Sequence, residues 1–291
     1  ENLSGEPDLV IVGNVITKIN PEAQALADKG IPYISMPQAL GHFFIDSRRS
    51  LVLAGTHGKT TSSAMLASAL DDLGADPTFM IGGILRKFKS NYRIGNGPFF
   101  VAEGDEYDTA FFDKVSKFLH YRPEVAVLTS LEFDHADIFD NLETIKNSFR
   151  TFITLLPANG LIIANFDDKN VVEVVADAPC PVQSYGTSAD CDWHIDPISY
   201  ISGYTRFPLH YKNRFFGEVE IQNPGIHNCM NGTAVAAVLH HLGYSAERVL
   251  ASLRSFSGVK RRQEIRGIIN DITVIDDFAH HPTAVRETLQ A

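Results

Sequence analysis

The chain alternates between short apolar runs and longer segments made of good helix formers. Four runs are apolar enough to be buried strands, at 51–54, 99–102, 125–128 and 161–165. Helices are predicted between and after them, at 60–73, 142–155 and 169–176. Continuous apolar strands separated by helices are typical of a parallel sheet that is covered on both faces. The pattern therefore predicts an α/β fold with a central doubly wound, mostly parallel sheet.

The pattern changes on both sides of this region. Before it, segment 7–16 has the Val/Ile run of a buried strand, and 20–30 begins with Pro and Glu and stops at Gly30, as a short helix does. After Cys180, aromatic and β-branched residues alternate with polar ones, which predicts antiparallel strands added to the sheet. Two helices follow, the second with Ser245 as its N-cap. Segment 272–282 begins one more strand.

Composition limits the classes of function. With 291 residues and 32.1 kDa, the chain is long enough for roughly two domains. A net charge of -10 argues against a general nucleic-acid binder. No apolar stretch approaches the ~20 residues of a membrane span, and no leader pattern begins the chain, so a cytoplasmic protein without a membrane partner is predicted. Three cysteines without C-x-x-C spacing predict free thiols.

The first candidate site is a loop between the strand at 51–54 and the helix at 60–73. Backbone amides and the helix end point at an anion in such a loop, and a lysine there reaches terminal phosphates. A threonine hydroxyl beside it is placed to bind Mg²⁺. The usual G-x-x-x-x-G-K-[ST] pattern would need Gly at position 53 and finds Leu53, so a tight turn with a surface lysine stays an alternative. The loop comprises Gly55, Thr56, His57, Gly58, Lys59, Thr60 and Thr61.

Acidic and histidine side chains follow the next two apolar strands. Ligands of open α/β sheets bind at the carboxyl ends of parallel strands, where a carboxylate can coordinate the metal of a nucleotide. A histidine there can bind a second divalent ion through its neutral imidazole. A solvated acidic loop is the alternative for the first cluster, and a polar loop histidine for the second. The clusters are Glu103, Asp105, Glu106 and Asp108, and then Glu132, Asp134, His135 and Asp137.

Two further pairs of polar residues are candidates for nucleotide contacts. Asn228 and Asn231 lie three apart at a helix start, where carboxamides suit an adenine edge but serve equally well as N-caps. Arg262 can neutralise phosphate, and Asp277 at a strand end can bind a ribose hydroxyl. A surface basic patch and a turn explain this second pair equally well.

Six ordered motifs resemble the Mur ligases of peptidoglycan synthesis: GTHGKTT, EGDEYD, LEFDHAD, GIHNCMN, GVKRRQE and DDFAHHPT. That family uses a shortened G-T-x-G-K-T loop, which accounts for Leu53. The first and last motifs resemble the branch that acts on UDP-N-acetylmuramate. Within it, Tyr107 and the stretches FFDKVSKF and HYRP resemble members that add the tripeptide L-alanyl-γ-D-glutamyl-meso-diaminopimelate in murein recycling, rather than those that add L-alanine.

The resemblance implies a role for each matching residue. Lys59 would bind the β- and γ-phosphates of ATP, and the rest of the loop would surround them. Thr60, Glu103 and His135 would bind Mg²⁺, so that Lys59, Glu103 and His135 form the catalytic set. Further nucleotide contacts would come from Asn228, Asn231, Arg262 and Asp277. Gly104 and Gln263 depart from the residues usual in the family, Ala and Phe, and Lys146 lies at a poor spacing for the carbamylated lysine of several relatives.

The resemblance also implies three domains and an activity. Residues 1–46 would be the tail of a Rossmann-like N-terminal domain that binds UDP, 47–259 a central P-loop ATPase domain, and 260–291 the start of a Rossmann-like C-terminal domain. The native protein is therefore expected to extend further. The implied activity is ATP-dependent ligation of UDP-N-acetylmuramate to the tripeptide through an acyl phosphate, forming a C–N bond. The alternatives are the L-alanine ligase and, in another class, a nucleotide-binding regulator without catalysis.

Overall fold

The computed structural model describes residues 3–5, 7–134 and 139–291. Its N-terminal part is a small unit in which two strands pair in parallel around a helix. The helix begins after Asn20, whose side chain accepts a hydrogen bond from the backbone of Glu22, and ends at Gly30 with φ +64°. The strand and helix predicted here are confirmed. The elements are β1 (Val10–Val12), α1 (Pro21–Lys29), β2 (Tyr33–Ser35), α2 (Met36–Leu40) and a π-helical turn (Gly41–Ile45).

The central region follows with strands and helices in alternation. Its first half comprises β3 (Arg49–Ala54), α3 (Lys59–Asp72), β4 (Thr78–Leu85), β5 (Ser90–Arg93), β6 (Phe99–Gly104), β7 (Asp108–Ala110), β8 (Asp113–Ser116), a 3₁₀ turn (Lys117–His120), β9 (Val125–Leu128), α4 (Leu142–Ile153) and β10 (Leu161–Asn165). Its second half comprises α5 (Lys169–Val175), β11 (Val182–Gly186), β12 (Trp193–Ile195), β13 (Ser199–Ile201), β14 (Tyr204–Tyr211), β15 (Arg214–Ile221), α6 (Ile226–His241) and α7 (Ala246–Arg254). The chain ends with β16 (Glu264–Ile269), β17 (Ile272–Asp276) and α8 (Pro282–Gln290).

One large sheet organises this region, in the order β13-β14-β12-β11-β10-β9-β3-β6-β4-β5, with β15 also paired to β14. Neighbours from β12 to β4 run parallel. Antiparallel pairs occur at both edges: β5 pairs with β4 at one, and β14 pairs with β12, β13 and β15 at the other. The predicted α/β class, the mostly parallel sheet and the antiparallel strands after Cys180 are therefore confirmed.

Helices cover both faces of the sheet. Successive strand residues point to opposite faces, so Leu51 and Leu53 of β3 pack in a cluster with α3, α6 and α7, while Val52 and Ala54 pack in another with α4 and α5. All four side chains are at most 1% exposed. The strand is apolar at every position because both of its faces are buried.

The predicted bounds differ from the structure by a few residues. Strands β9 and β10 have the predicted ends, whereas α3 begins one residue earlier, at Lys59, and β6 extends to Gly104. Strands β4 and β5 were not predicted. Their sequence contains Gly82 and Gly83, which weaken the strand pattern. A Cβ at Gly82 would lie 2.9 Å from an oxygen of Glu103, so a larger residue there would displace that carboxylate.

Two remaining observations bear on the class of protein. None of the helices in the described part of the chain is long and apolar enough to cross a bilayer. Cys180, Cys191 and Cys229 are buried free thiols, as the sequence predicts. Burial raises the pKa of Cys229 to about 12, so this side chain is a small apolar group of the core rather than a nucleophile.

Candidate functional site

A cavity of about 650 Å³ lies at the carboxyl edge of the parallel sheet. Its walls come from the loops that follow β3, β6, β9 and β10, from the start of α6, and from the segment between β17 and α8. Carboxyl ends of parallel strands are where open α/β sheets bind ligands. The cavity therefore lies where the candidate residues of the sequence were expected to meet.

The loop after β3 is shaped by its two glycines. Gly55 has φ +131°, and a Cβ on it would lie 2.8 Å from the carbonyl oxygen of Ser130. Gly58 has φ +84°, and a Cβ on it would lie 2.5 Å from Oδ1 of Asn231. The backbone N–H of Thr56 donates to the Ser130 carbonyl at 2.7 Å. The loop can therefore lie against the β9 loop and α6 only with glycine at these two positions.

Helix α3 begins at Lys59, directly after this loop, and no side chain of the described residues caps its first turn. Its amides and its positive end therefore face the cavity, which suits an anion. Lys59 extends into the same region. Its Nζ lies 3.0 and 2.8 Å from the two carboxylate oxygens of Glu106, a side chain that is only 3% exposed. Glu106 thus positions the lysine.

Thr60 and Glu103 are in direct contact. The Thr60 hydroxyl donates to Oε1 of Glu103 at 2.8 Å, and it accepts a hydrogen bond from Nη2 of Arg262 at 3.2 Å. The other oxygen of Glu103 accepts from the backbone N–H of Gly82 at 2.6 Å. A hydroxyl and a carboxylate oxygen at this spacing are the hard donors that Mg²⁺ prefers, so the residues present fit that ion.

A second cluster on the cavity walls is formed by His57, Glu132 and His281. One oxygen of Glu132 lies 3.1 Å from Nε2 of His57 and 3.5 Å from Nδ1 of His281. The three side chains offer ligand atoms within 4.8 Å of one another, so they could also hold a metal ion. Burial lowers the pKa of His57. Burial would raise the pKa of Glu132, but hydrogen bonds from Thr283 and His57 hold it below its ordinary value. His135, the predicted second metal ligand, and Asp137 lie outside the described residues.

The two asparagines are buried on the first turns of α6. Gly225 is the N-cap of this helix, so the alternative that Asn228 and Asn231 are N-caps is wrong. Asn231 accepts a hydrogen bond from Ser62 of α3 at 3.0 Å through Oδ1. Asn228 donates through Nδ2 to the side chain of Gln263 at 2.8 Å. The asparagines therefore connect α6 to the phosphate-loop helix and to the C-terminal segment.

Asp277 orders the C-terminal segment. Its Oδ2 accepts from the backbone N–H of Gln263 at 2.7 Å, and its Oδ1 accepts from that of Ala279 at 2.7 Å. Both Arg262 and Asp277 line the cavity, and so do the other candidates within the described residues except Gly55, Glu106 and Asp108. Their contacts with a nucleotide stay predictions.

Three polar residues at the end of β10 and directly after it were not predicted as site residues. Asn165, Asp167 and Asp168 line the cavity, and Asp168 accepts from the backbone N–H of Leu131 at 2.7 Å. The signal was present, because the run NFDD follows an apolar strand as the other acidic clusters do. Lys146 does not line the cavity. Its Nζ lies 2.7 Å from a carboxylate oxygen of Glu173 on α5.

The charge balance of the cavity limits its ligands. Among the described lining residues, two cations, Lys59 and Arg262, face eight carboxylates. A polyphosphate would be repelled by such a surface unless metal ions were bound between them. The eight carboxylates are Glu103, Asp105, Glu132, Asp134, Asp167, Asp168, Asp277 and Glu287.

A glycine loop between a buried parallel strand and a helix, with carboxylates at the neighbouring strand ends, defines an α/β protein with a ligand site at the carboxyl edge of its sheet. The model of the Mur ligase middle domain matches residues 53–239. The chain therefore belongs to the Mur ligase family, as its motifs indicate.

Individual relatives agree with this membership. The UDP-N-acetylmuramate–L-alanyl-γ-D-glutamyl-meso-2,6-diaminoheptandioate ligase of Haemophilus influenzae is 39% identical over 99% of this chain and 63% of its own length. The UDP-N-acetylmuramate–L-alanine ligase of Acetivibrio thermocellus is 37% identical over 100% of this chain and 61% of its own length. A murein peptide ligase structure from Psychrobacter arcticus 273-4 matches with TM-score 0.84 and 34% identity, covering 99% of this chain and 63% of that one. The chain thus spans less than two thirds of these relatives.

Proposed function

We propose that this chain is the ATP-binding part of a ligase that joins UDP-N-acetylmuramate to the tripeptide L-alanyl-γ-D-glutamyl-meso-diaminopimelate, in the cytoplasm and in murein recycling. The central ATPase domain would span 47–259, between the parts that would bind UDP and the amine substrate. The single observation that carries the ATP site is the contact of Thr60 with Glu103 beside Lys59, at the start of α3. The name of the Haemophilus influenzae relative supports the two other substrates.

The proposed reaction begins with an attack of the lactyl carboxylate of UDP-N-acetylmuramate on the γ-phosphorus of ATP. Both reactants are anions, so repulsion and the charge developing on the transferred group must be offset. Lys59 and the amides at the start of α3 would do this at the β- and γ-phosphates. Thr60 and Glu103 would hold Mg²⁺, which would supply further positive charge to offset that of the phosphates.

The second step would consume the acyl phosphate. The free α-amine of the tripeptide attacks the acyl carbon, a tetrahedral intermediate forms, and phosphate leaves with the bonding electron pair. The amine loses a proton and an amide remains. The His57–Glu132–His281 cluster lines the same cavity, and the neutral imidazole favoured by the lowered pKa of His57 is able to accept a proton.

The choice of amine substrate rests on the pattern of similarity. Relatives named for the tripeptide are 39% and 40% identical to the chain, and an L-alanine relative is 37% identical. The sequence identities to solved structures differ by more: they are 36% and 34% for two murein peptide ligases and 28% for an alanine ligase. This margin favours the tripeptide and keeps L-alanine as the second candidate.

The test is phosphate release from ATP by the ligase that contains this chain, in the presence of Mg²⁺ and UDP-N-acetylmuramate, with the tripeptide or L-alanine as the amine. We expect release with the tripeptide and a background rate with L-alanine. Release with L-alanine alone would replace the proposal by the alanine ligase. ATP binding without release under either condition would favour the regulator.

A further inference from the structure

A second group of metal-ligating side chains lies away from the cavity, on the strands where the sheet turns from parallel to antiparallel. His194 of β12 lies opposite His210 of β14 in the antiparallel register. Asp196 follows two residues after His194, so the two side chains point to the same face. None of the three lines the large cavity.

The three side chains lie close together. Nε2 of His210 lies 3.1 Å from Oδ2 of Asp196, and the rings of His194 and His210 stack with centroids 4.8 Å apart and 5° between their planes. One ring nitrogen of each histidine and one carboxylate oxygen lie within 4.8 Å of one another. Because a metal ion lies in the plane of each imidazole that binds it, the stacked rings would have to turn before these ligands from both strands could share one ion.

The hydrogen bonding of His194 gives a second, independent observation. This residue is only 7% exposed. Its Nδ1 is buried and has no hydrogen-bond partner among the described residues. A buried polar atom without a partner is unfavourable and is often explained by a bound ion or water. The imidazole therefore has coordinating capacity that the described side chains do not use.

The chemical type of the three ligand atoms favours one class of metal ion. Two imidazoles and one carboxylate suit a divalent transition-metal ion such as Zn²⁺ better than Mg²⁺ or Ca²⁺, which prefer oxygen ligands alone. The Asp196 side chain is 50% exposed and that of His210 is 21% exposed, which leaves access for the ion and for a water ligand. We propose that His194, Asp196 and His210 form a transition-metal site that fastens β12 to β14.

The test titrates the untagged, chelator-treated chain with Co²⁺ and follows visible absorption, with Zn²⁺ as competitor. We expect saturable binding that His210→Gln and Asp196→Asn each weaken about tenfold or more, because each removes one ligand. The control is His42→Gln, which alters an exposed His–Asp pair at 3.7 Å that is outside any three-ligand cluster among the described residues. It should bind as the unaltered chain does.

Stability gives a second readout. Zn²⁺ should raise the thermal unfolding temperature of the unaltered chain and of His42→Gln, and raise it less in the two site variants. A metal ion bound at the His57–Glu132–His281 cluster would still bind in both site variants. Binding at that cluster can therefore be distinguished from binding at the proposed site. Asp196→Asn changes a half-exposed side chain, so it tests the site even if His210→Gln does not fold. Unchanged Co²⁺ affinity in Asp196→Asn, or no binding by the unaltered chain, would overturn the proposal.

Discussion

The ion pair of Lys59 and Glu106 is nearly closed to water, with side chains 12% and 3% exposed. Removing one member of such a pair leaves a buried charge without its partner, which typically costs about 3–5 kcal/mol. Replacing both members removes that penalty. The pair therefore links the stability of the loop region to the residue proposed to bind phosphate.

We predict that Lys59→Met lowers the free energy of unfolding by about 3 kcal/mol, and that adding Glu106→Gln recovers most of this loss. Urea denaturation measures both values. Phosphate release should be lost in both variants. The control is Lys114→Met, which breaks a pair with Asp108 whose lysine is 65% exposed, and should cost at most about 1 kcal/mol. An equal loss of unfolding free energy in the single and double variants would show that the unpaired charge of Glu106 is not its cause.

His227 is the second residue whose environment gives a prediction. Burial lowers its pKa, against the opposing charges of Glu287 and Asp277. The unfolded chain binds this proton near pH 6.5, whereas the folded chain binds it only at lower pH. The stability linked to neutral His227 is therefore fully present above pH 6.5 and is lost as the pH falls through the folded pKa.

We predict that the ring resonances of His227 titrate below pH 6.5 in an NMR experiment. The variant His227→Gln should flatten the decline in unfolding free energy between pH 6.5 and the observed midpoint. A midpoint at or above 6.5 would show that Glu287 and Asp277 outweigh burial.

At the scale of elements, the junction between β3 and α3 depends on Gly58. We predict that Gly58→Ala lowers the free energy of unfolding through two effects: the unfavourable φ of +84°, and the contact of the new Cβ with Asn231. The matched control is Gly74→Ala, which has φ +79° but nothing within 4 Å of the new Cβ. The control should lose about 1–2 kcal/mol, the cost of the backbone conformation alone.

Gly58→Ala should lose more than this and should also weaken ATP binding, since the loop must move away from α6. Denaturation and calorimetric titration with ATP measure the two effects. Equal losses for the two glycines, with ATP binding unchanged, would contradict the role of this junction.

The elements also show how far the sequence could be interpreted. Strands β9 and β10 were predicted with their observed ends because four consecutive apolar residues between polar segments fit a strand buried on both faces. Strand β4 was missed because of its two glycines, which the structure places against Glu103 (Gly82) and against Val259 and Thr60 (Gly83). The pattern of apolar and polar residues indicates which strand positions are buried. It does not indicate which side chains from distant parts of the chain contact them.

The candidate site shows the same division. Strand ends on a parallel sheet meet at one edge, so the cavity and the walls from β3, β6 and β9 could be predicted. The side chains that contact one another within the site could not be predicted. Lys59 and Glu106 are 47 positions apart, and the acidic cluster offered several carboxylates of equal standing. The N-cap of α6 was likewise undecidable from spacing, and it is Gly225.

At the scale of the whole molecule, ligand binding should stabilise the fold. Mg²⁺ and ATP at about 100 times the dissociation constant should add about 2.7 kcal/mol to the free energy of unfolding. We predict that Thr60→Val removes most of the Mg²⁺-dependent part, because it deletes the hydroxyl that contacts Glu103. The control is Thr151→Val, on an exposed position of α4. Thermal unfolding with and without Mg²⁺ measures the difference, and an unchanged Mg²⁺ effect in Thr60→Val would count against this metal site.

The central claim is that the chain belongs to a ligase that activates a carboxylate as an acyl phosphate. The most direct test supplies UDP-N-acetylmuramate labelled with ¹⁸O in its lactyl carboxylate, together with ATP, Mg²⁺ and the tripeptide, and analyses the released phosphate by mass spectrometry. Attack of the carboxylate on phosphorus predicts one ¹⁸O atom in each phosphate that is released as an amide forms. Unlabelled phosphate accompanying amide formation would show that the carboxylate does not attack the phosphorus of ATP.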